Sequence, residues 1–225
     1  MVLPPMIRQG CYQPKRQLLG GIRTRKENAP FHGAHLNFDQ FALEVDGQRF
    51  GPSDAALTLT PDWKGPLPAN AAVHVVERRG CDLTPVTGPD AALRLRAYLW
   101  PDQPERAALL EAALRCPPAP VDAADAESWL SHRLVRETGG PCHMIHHTVA
   151  WQYFPAEVQS RCKAMIETAG ARATGSAPLA WFGMEADAEQ NGAALRLRMW
   201  PGDINLTLGR ADFHGRWVAW DPQES

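Results

Sequence analysis

The run Cys142-His143-Met144-Ile145-His146-His147 is the densest cluster of titratable side chains in the sequence, and Trp151, Gln152 and Tyr153 follow it closely. Imidazoles exchange protons near neutral pH and also ligate metals, so the run offers acid–base or metal chemistry. Spacing separates the two. Residues 142–151 read as a strand, on which His143 and His147 share one face and His146 takes the other. At the strand rise His143 and His147 stand roughly 13 Å apart, too far to hold one ion. No metal site is assigned, and a metal-assisted hydrolase built on the His143 to His147 cluster is the reading this spacing disfavours. Acid–base work by His146 or His147 suits the strand's carboxyl end; the alternative is a hydrogen-bonded structural histidine. Trp151, Gln152 and Tyr153 either position a substrate or, for the two rings, pack in the core.

The elements that must position these groups follow from local patterning. FALEV (41–45) and QRF (48–50) flank Asp46-Gly47, a pair suited to the positive φ angles of a tight hairpin. Further strands are expected at 56–60, 72–77 and 120–124, while 93–101 suits either a strand or a helix. Asp102 and Glu105 have capping-box spacing ahead of a helix with Leu109, Leu110, Ala113 and Leu114. Asp125 suits the cap of a helix carrying Trp129, Leu130 and Leu134. Pro155 opens a helix with Val158, Cys162, Met165, Ile166 and Ala169 on one face, and Gly170 is expected to end it. Strands return at 178–185, 195–200 and 205–220, with Glu185 and His214 at their rims.

Residues 1–32 are rich in proline, glycine and basic side chains, and are expected to be irregular or poorly packed, with Leu18 to Ile22 at best a makeshift strand. Residues 33–225 then form a single α/β domain. Alternating strands and helices imply a mostly parallel three-layer sheet with a C-terminal antiparallel strand pair. That order resembles a class I S-adenosylmethionine-dependent methyltransferase core.

Several motifs in order carry a more specific likeness. HLNFDQF, ERRGCDLTPV, LWPDQPER, DAADAESWL, HHTVAWQYFP, PLAWFGME, LRLRMWPG and HGRWVAW resemble the bacterial family called domain of unknown function 2332, over roughly residues 33–220. The resemblance implies a methyltransferase-like fold and S-adenosylmethionine as cofactor. It also implies roles for three residues: Gly33 in the turn at the cofactor's methionine end, Glu77 on the ribose hydroxyls, and Asp125 near the adenine. Read without it, Glu77 pairs with Arg78 or Arg79, and Asp125 simply caps a helix. One departure stands out. NAPFHGAHLNFD replaces the family's glycine-rich turn, and the preceding apolar strand is missing, which implies impaired cofactor binding. A truncated, mis-started or frameshifted gene would account for this N-terminus. Asp82 in Arg79-Gly80-Cys81-Asp82 is expected to close a loop on backbone amides, and Cys81 lacks the partners of a nucleophile.

Composition bounds the rest. Lys+Arg total 23 against 25 Asp+Glu, for a net charge of −2, so no basic surplus is available for nucleic acid. No apolar stretch reaches a membrane span, MVLPPMIRQG lacks a secretory core, and five widely spaced cysteines suggest reduced thiols. A cytoplasmic protein acting on a small-molecule or protein substrate is expected. Three functions compete: a methyltransferase or its degenerate relative, a non-catalytic protein-interaction module that keeps the fold, and the metal-assisted hydrolase.

Overall fold

The computed structural model describes residues 36–69, 73–85, 90–97, 99, 101–102, 104–116, 119–135, 142–189 and 191–224, together with the backbone of 19–24. Twelve strands and four α-helices are present among these residues. The strands are β1 (Leu19–Thr24), β2 (Phe41–Val45), β3 (Gln48–Phe50), β4 (Leu57–Leu59), β5 (Asp62–Lys64), β6 (Val75–Asp82), β7 (Val121–Ala123), β8 (Cys142–Thr148), β9 (Leu179–Glu185), β10 (Ala193–Trp200), β11 (Ile204–Ala211) and β12 (Trp217–Glu224). The helices are α1 (Ala91–Arg96), α2 (Pro104–Leu114), α3 (Ala126–Arg133) and α4 (Ala156–Ala171).

Nine strands form one sheet in the order β5-β12-β11-β10-β9-β8-β1-β6-β7. Five neighbouring pairs run antiparallel and three parallel. The expected mostly parallel, methyltransferase-like sheet is therefore wrong, for two physical reasons. After α4 the strands follow one another through short turns, and a short turn can only reverse direction, so β9 to β12 are antiparallel. In addition, β1 enters against the direction of both its neighbours: Leu19 pairs with Cys81 on one side and His147 on the other. Parallel pairing survives at β6–β7, at β8–β9 and where β5 lies beside β12.

Helices α3 and α4 cover one face. Their buried Trp129, Leu130, Cys162 and Ile166 pack with Ile145, Leu179 and Trp200 of the sheet. On the opposite face Leu36 and Phe38 pack over Met144, Phe182, Met184, Leu195 and Leu197. This is the strand period of two at work: β9 reads Leu179, Trp181, Gly183, Glu185 on the α4 side and Ala180, Phe182, Met184 on the other. A second, small sheet, β3-β2-β4, packs Leu43, Val45 and Phe50 with Trp63 of β5, and Phe41 and Leu57 with Ala112 and Cys116 of the α2 region.

Other expectations resolve in detail. The Asp46-Gly47 hairpin forms, with φ of 50° and 73°. Asp125 caps α3, its carboxylate accepting the Ser128 amide at 2.8 Å. The ambiguous 93–101 region includes the end of helix α1. The strand expected at 72–77 instead runs from Val75 to Asp82, so Glu77 sits near its beginning. Asp82 accepts the Thr84 amide at 2.7 Å, closing the expected loop.

Gly170 does not end its helix, which continues through Ala171. It is buried, and a Cβ there would overlap the Trp200 ring. The glycine is needed for the approach of α4 to β10. Gly170→Ala should therefore destabilise the fold by about 1–2 kcal/mol in chemical denaturation, because the overlap outweighs the roughly 1 kcal/mol gain in helix propensity.

Candidate functional site

An open cleft of about 820 Å³ lies on the α4 face, between α4 and strands β8 to β11. One wall is His147, Trp151, Gln152, Trp181, Gly183 and Glu185. It is built by the ends of β8 and β9. Because these strands are parallel and in register, with His147 opposite Gly183, both finish on the same side and Glu185 reaches back across to the imidazole. Nδ1 of His147 lies 2.8 Å from Oε1 of Glu185.

The same carboxylate anchors the connection from β8 to α4. Its Oε1 accepts the Ala150 amide at 2.8 Å and the Trp151 amide at 3.0 Å, and Oε2 lies 3.5 Å from the Gln152 amide. Val149 just before them has a φ of 46°. For a β-branched residue this conformation is strained, by an amount on the order of 1–3 kcal/mol. The amide bonds to Glu185, and that of the Val149 amide to the Met184 carbonyl at 2.7 Å, hold the turn in place.

Burial by itself would push the Glu185 carboxyl upward. The hydrogen bond from His147, with those of the Ala150 and Trp151 amides, outweighs burial and holds it below the ordinary carboxylate value. An ionised Glu185 requires the proton on Nδ1 of His147, which leaves Nε2 as the basic nitrogen of the neutral ring. His147 is only 5% exposed, and its Nε2 is buried without a hydrogen-bond partner among the described residues. The ring stacks on Trp151 at 4.9 Å between centroids and lies near Trp181 at 6.0 Å. Gly183 makes room beneath it: a Cβ there would stand 3.0 Å from Cε1.

The other walls are polar. Helix α4 contributes Gln159, Ser160 and Lys163, and β10 and β11 contribute Arg196, Arg198, Asn205 and Thr207. Arg198 is committed, to Glu167 and Asp203 and over the Trp200 ring. Arg196 is loosely held, 3.4 Å from an Asp187 that Arg210 already grips with two bonds of 2.9 and 3.0 Å.

The structure thus brings together His147, Trp151 and Gln152 from the sequence-derived candidates, with Gln152 also accepting the Ala186 amide at 3.3 Å. Tyr153 is exposed and does not line the cleft. His146 is buried on the opposite face beside the Phe182 position of β9. Glu77 is bound to Arg133 at 2.7 Å, and Asp125 is spent on the α3 cap; neither reaches the cleft. Gly33 lies outside the described residues. Each of the two described members of the cofactor set also serves a protein partner, Glu77 on Arg133 and Asp125 on the α3 amide. Among the described residues no three His, Cys, Asp or Glu side chains gather as metal ligands. Buried Cys162, its thiol pushed up to about 11 chiefly by burial, is a packing residue.

Sequence reasoning named Glu185 only as a rim residue and missed Trp181, Gly183, Lys163 and Arg196. The usable signal was that both LAWFGME and CHMIHHT end polar on the same side if they run parallel.

The family model described as an uncharacterized protein conserved in bacteria (DUF2332) matches residues 33–220. No curated protein and no solved structure matches the chain. No helix among the described residues is long and apolar enough to cross a membrane.

Glu185→Gln keeps the shape of the carboxylate and removes its charge. Because the folded carboxyl is held low, the stability it supplies is present above the ordinary glutamate value of about 4.3 and is lost as pH falls through the folded value. The wild type should therefore be more stable than the variant by about 1–3 kcal/mol at roughly pH 6, and the gap should narrow as the solution is acidified below the ordinary glutamate value in paired urea titrations.

Proposed function

The chain belongs to the DUF2332 family of bacterial proteins, and on that premise we propose that its cleft binds a small molecule from which His147 removes a proton as general base, positioned by Glu185. One observation carries this reading: the imidazole is fixed at Nδ1 by an ionised carboxylate at 2.8 Å, while the opposite nitrogen is buried in the cleft wall without a partner among the described residues. A carboxylate on Nδ1 sets the tautomer and leaves Nε2 as the nitrogen that takes the proton. Around it, Trp151 and Trp181 give an apolar wall on which such a charge change is felt strongly.

Methyl transfer to the same acceptor would need a cofactor seat, and Glu77 and Asp125 are engaged elsewhere. A metal-assisted hydrolase finds no support in the strand spacing, since of the three histidines only His147 lines the cleft. A purely structural role for His147 would explain its bond to Glu185 but gives the buried Nε2 nothing to do.

The base can be tested without the natural substrate. Ring opening of 5-nitrobenzisoxazole, a planar aromatic, needs only the loss of one C–H proton to a base. Wild-type protein should accelerate it saturably, and His147→Gln should lower kcat/KM by about a hundredfold, within the usual range of general-base contributions. Equal rates for the two proteins, both shown to be folded by circular dichroism, would refute the proposal.

A further inference from the structure

We infer that the molecule held in this cleft is a planar aromatic anion, its ring against Trp151 and Trp181 and its negative group on Arg196 and Lys163. The inference rests on the cleft being a binding site, and it deepens that reading by naming the ligand class.

The aromatic side comes first. Trp151 and Trp181 stand 5.4 Å apart between ring centroids, tilted by 53°, and both line the cleft. Such a pair offers π-faces to a flat ring and little to a saturated one. Nε1 of Trp181 is buried without a hydrogen-bond partner among the described residues. With the imidazole of His147 close by, this wall presents stacking surface.

Charge supplies the second half. Lys163, Arg196 and Arg198 line the cleft against a single carboxylate, Glu185. That carboxylate is occupied by His147 and the amides of the turn, so it repels an incoming anion less than an open one would. Arg198 has both of its acids. Lys163 stands 4.0 Å from Glu167, which Arg198 already holds, and Arg196 shares Asp187 with the tighter Arg210. Both side chains are more than half exposed. Neither gives up a strong bond by turning toward a ligand, and an arginine fork suits a carboxylate or a phosphate equally.

Calorimetric titration of the full chain with four probes tests this. They are naphthoate, naphthyl phosphate, the neutral naphthamide and the non-planar anion cyclohexanecarboxylate. At low salt at least one naphthyl anion should bind about tenfold or more tighter than naphthamide and cyclohexanecarboxylate, a gap of about 1.4 kcal/mol. The tighter of the two anions identifies the charged group as carboxylate or phosphate. In the double variant Arg196→Gln, Lys163→Gln the preference over naphthamide should fall to about twofold or less, with the melting temperature unchanged, since both side chains are exposed. Naphthamide binding as tightly as the anions overturns the ligand class and leaves the cleft reading intact. Cyclohexanecarboxylate binding as tightly as naphthoate overturns the aromatic half. If no probe binds, the ligand class falls, and benzisoxazole turnover by the same preparation decides separately whether the general-base reading falls with it.

Discussion

The buried carboxylate of Glu185 is the interaction on which the site depends. A charge taken out of water is tolerated only when hydrogen bonds replace its hydration, and Glu185 obtains them from one imidazole and the amides of a single turn. The dependence runs both ways. Without the carboxylate, the Val149 turn would keep its strained φ with less to hold it, and the Ala150 and Trp151 amides would lose their acceptor. Trp151 would then lose the anchor that sets it over the imidazole.

Sheet geometry delivers that carboxylate. Strands β8 and β9 are neighbours in parallel, so their carboxyl ends coincide, whereas β10 runs the other way and brings Ala194, Arg196 and Arg198 across from Glu185, Gly183 and Trp181. Acid–base, aromatic and cationic groups therefore meet on one patch of one face. The patch stays open because the helices stop after α4, while farther along the same face α4 closes down on Trp200 through Gly170.

Much of the local structure was legible from short-range chemistry. The Asp46-Gly47 turn, the Asp125 cap, the strand through His143 and His147 and the apolar stripe of α4 each depend on residues close in sequence. The ordered motifs also located the family correctly over residues 33–220. Strand direction was not legible, because it depends on which partner a strand finds. Nothing within Leu19–Thr24 states that it will run against both β6 and β8. A glycine near a helix end suggests a stop, and the true reason for Gly170 lies thirty residues downstream, at Trp200 at the end of β10. The candidate site divides the same way. His147, Trp151 and Gln152 announced themselves by type, but the pairing of His147 with Glu185 depends on strand order. For Asp125 the cap read from spacing forms, whereas the ion pair of Glu77 goes to Arg133, 56 residues on, and not to the adjacent Arg78 or Arg79.

Strand β1 sets the order of assembly. It joins β6–β7 to the remaining strands of the large sheet, since β6 and β8 each pair with it and not with one another. Its partners begin at Val75 and end at His147, so it cannot be paired on both sides until β8 has been made. Closing the sheet waits on contacts of long sequence separation, which slow folding and prolong the lifetime of unpaired strand edges. During that interval the edges of β6 and β8 are open to pairing with other chains.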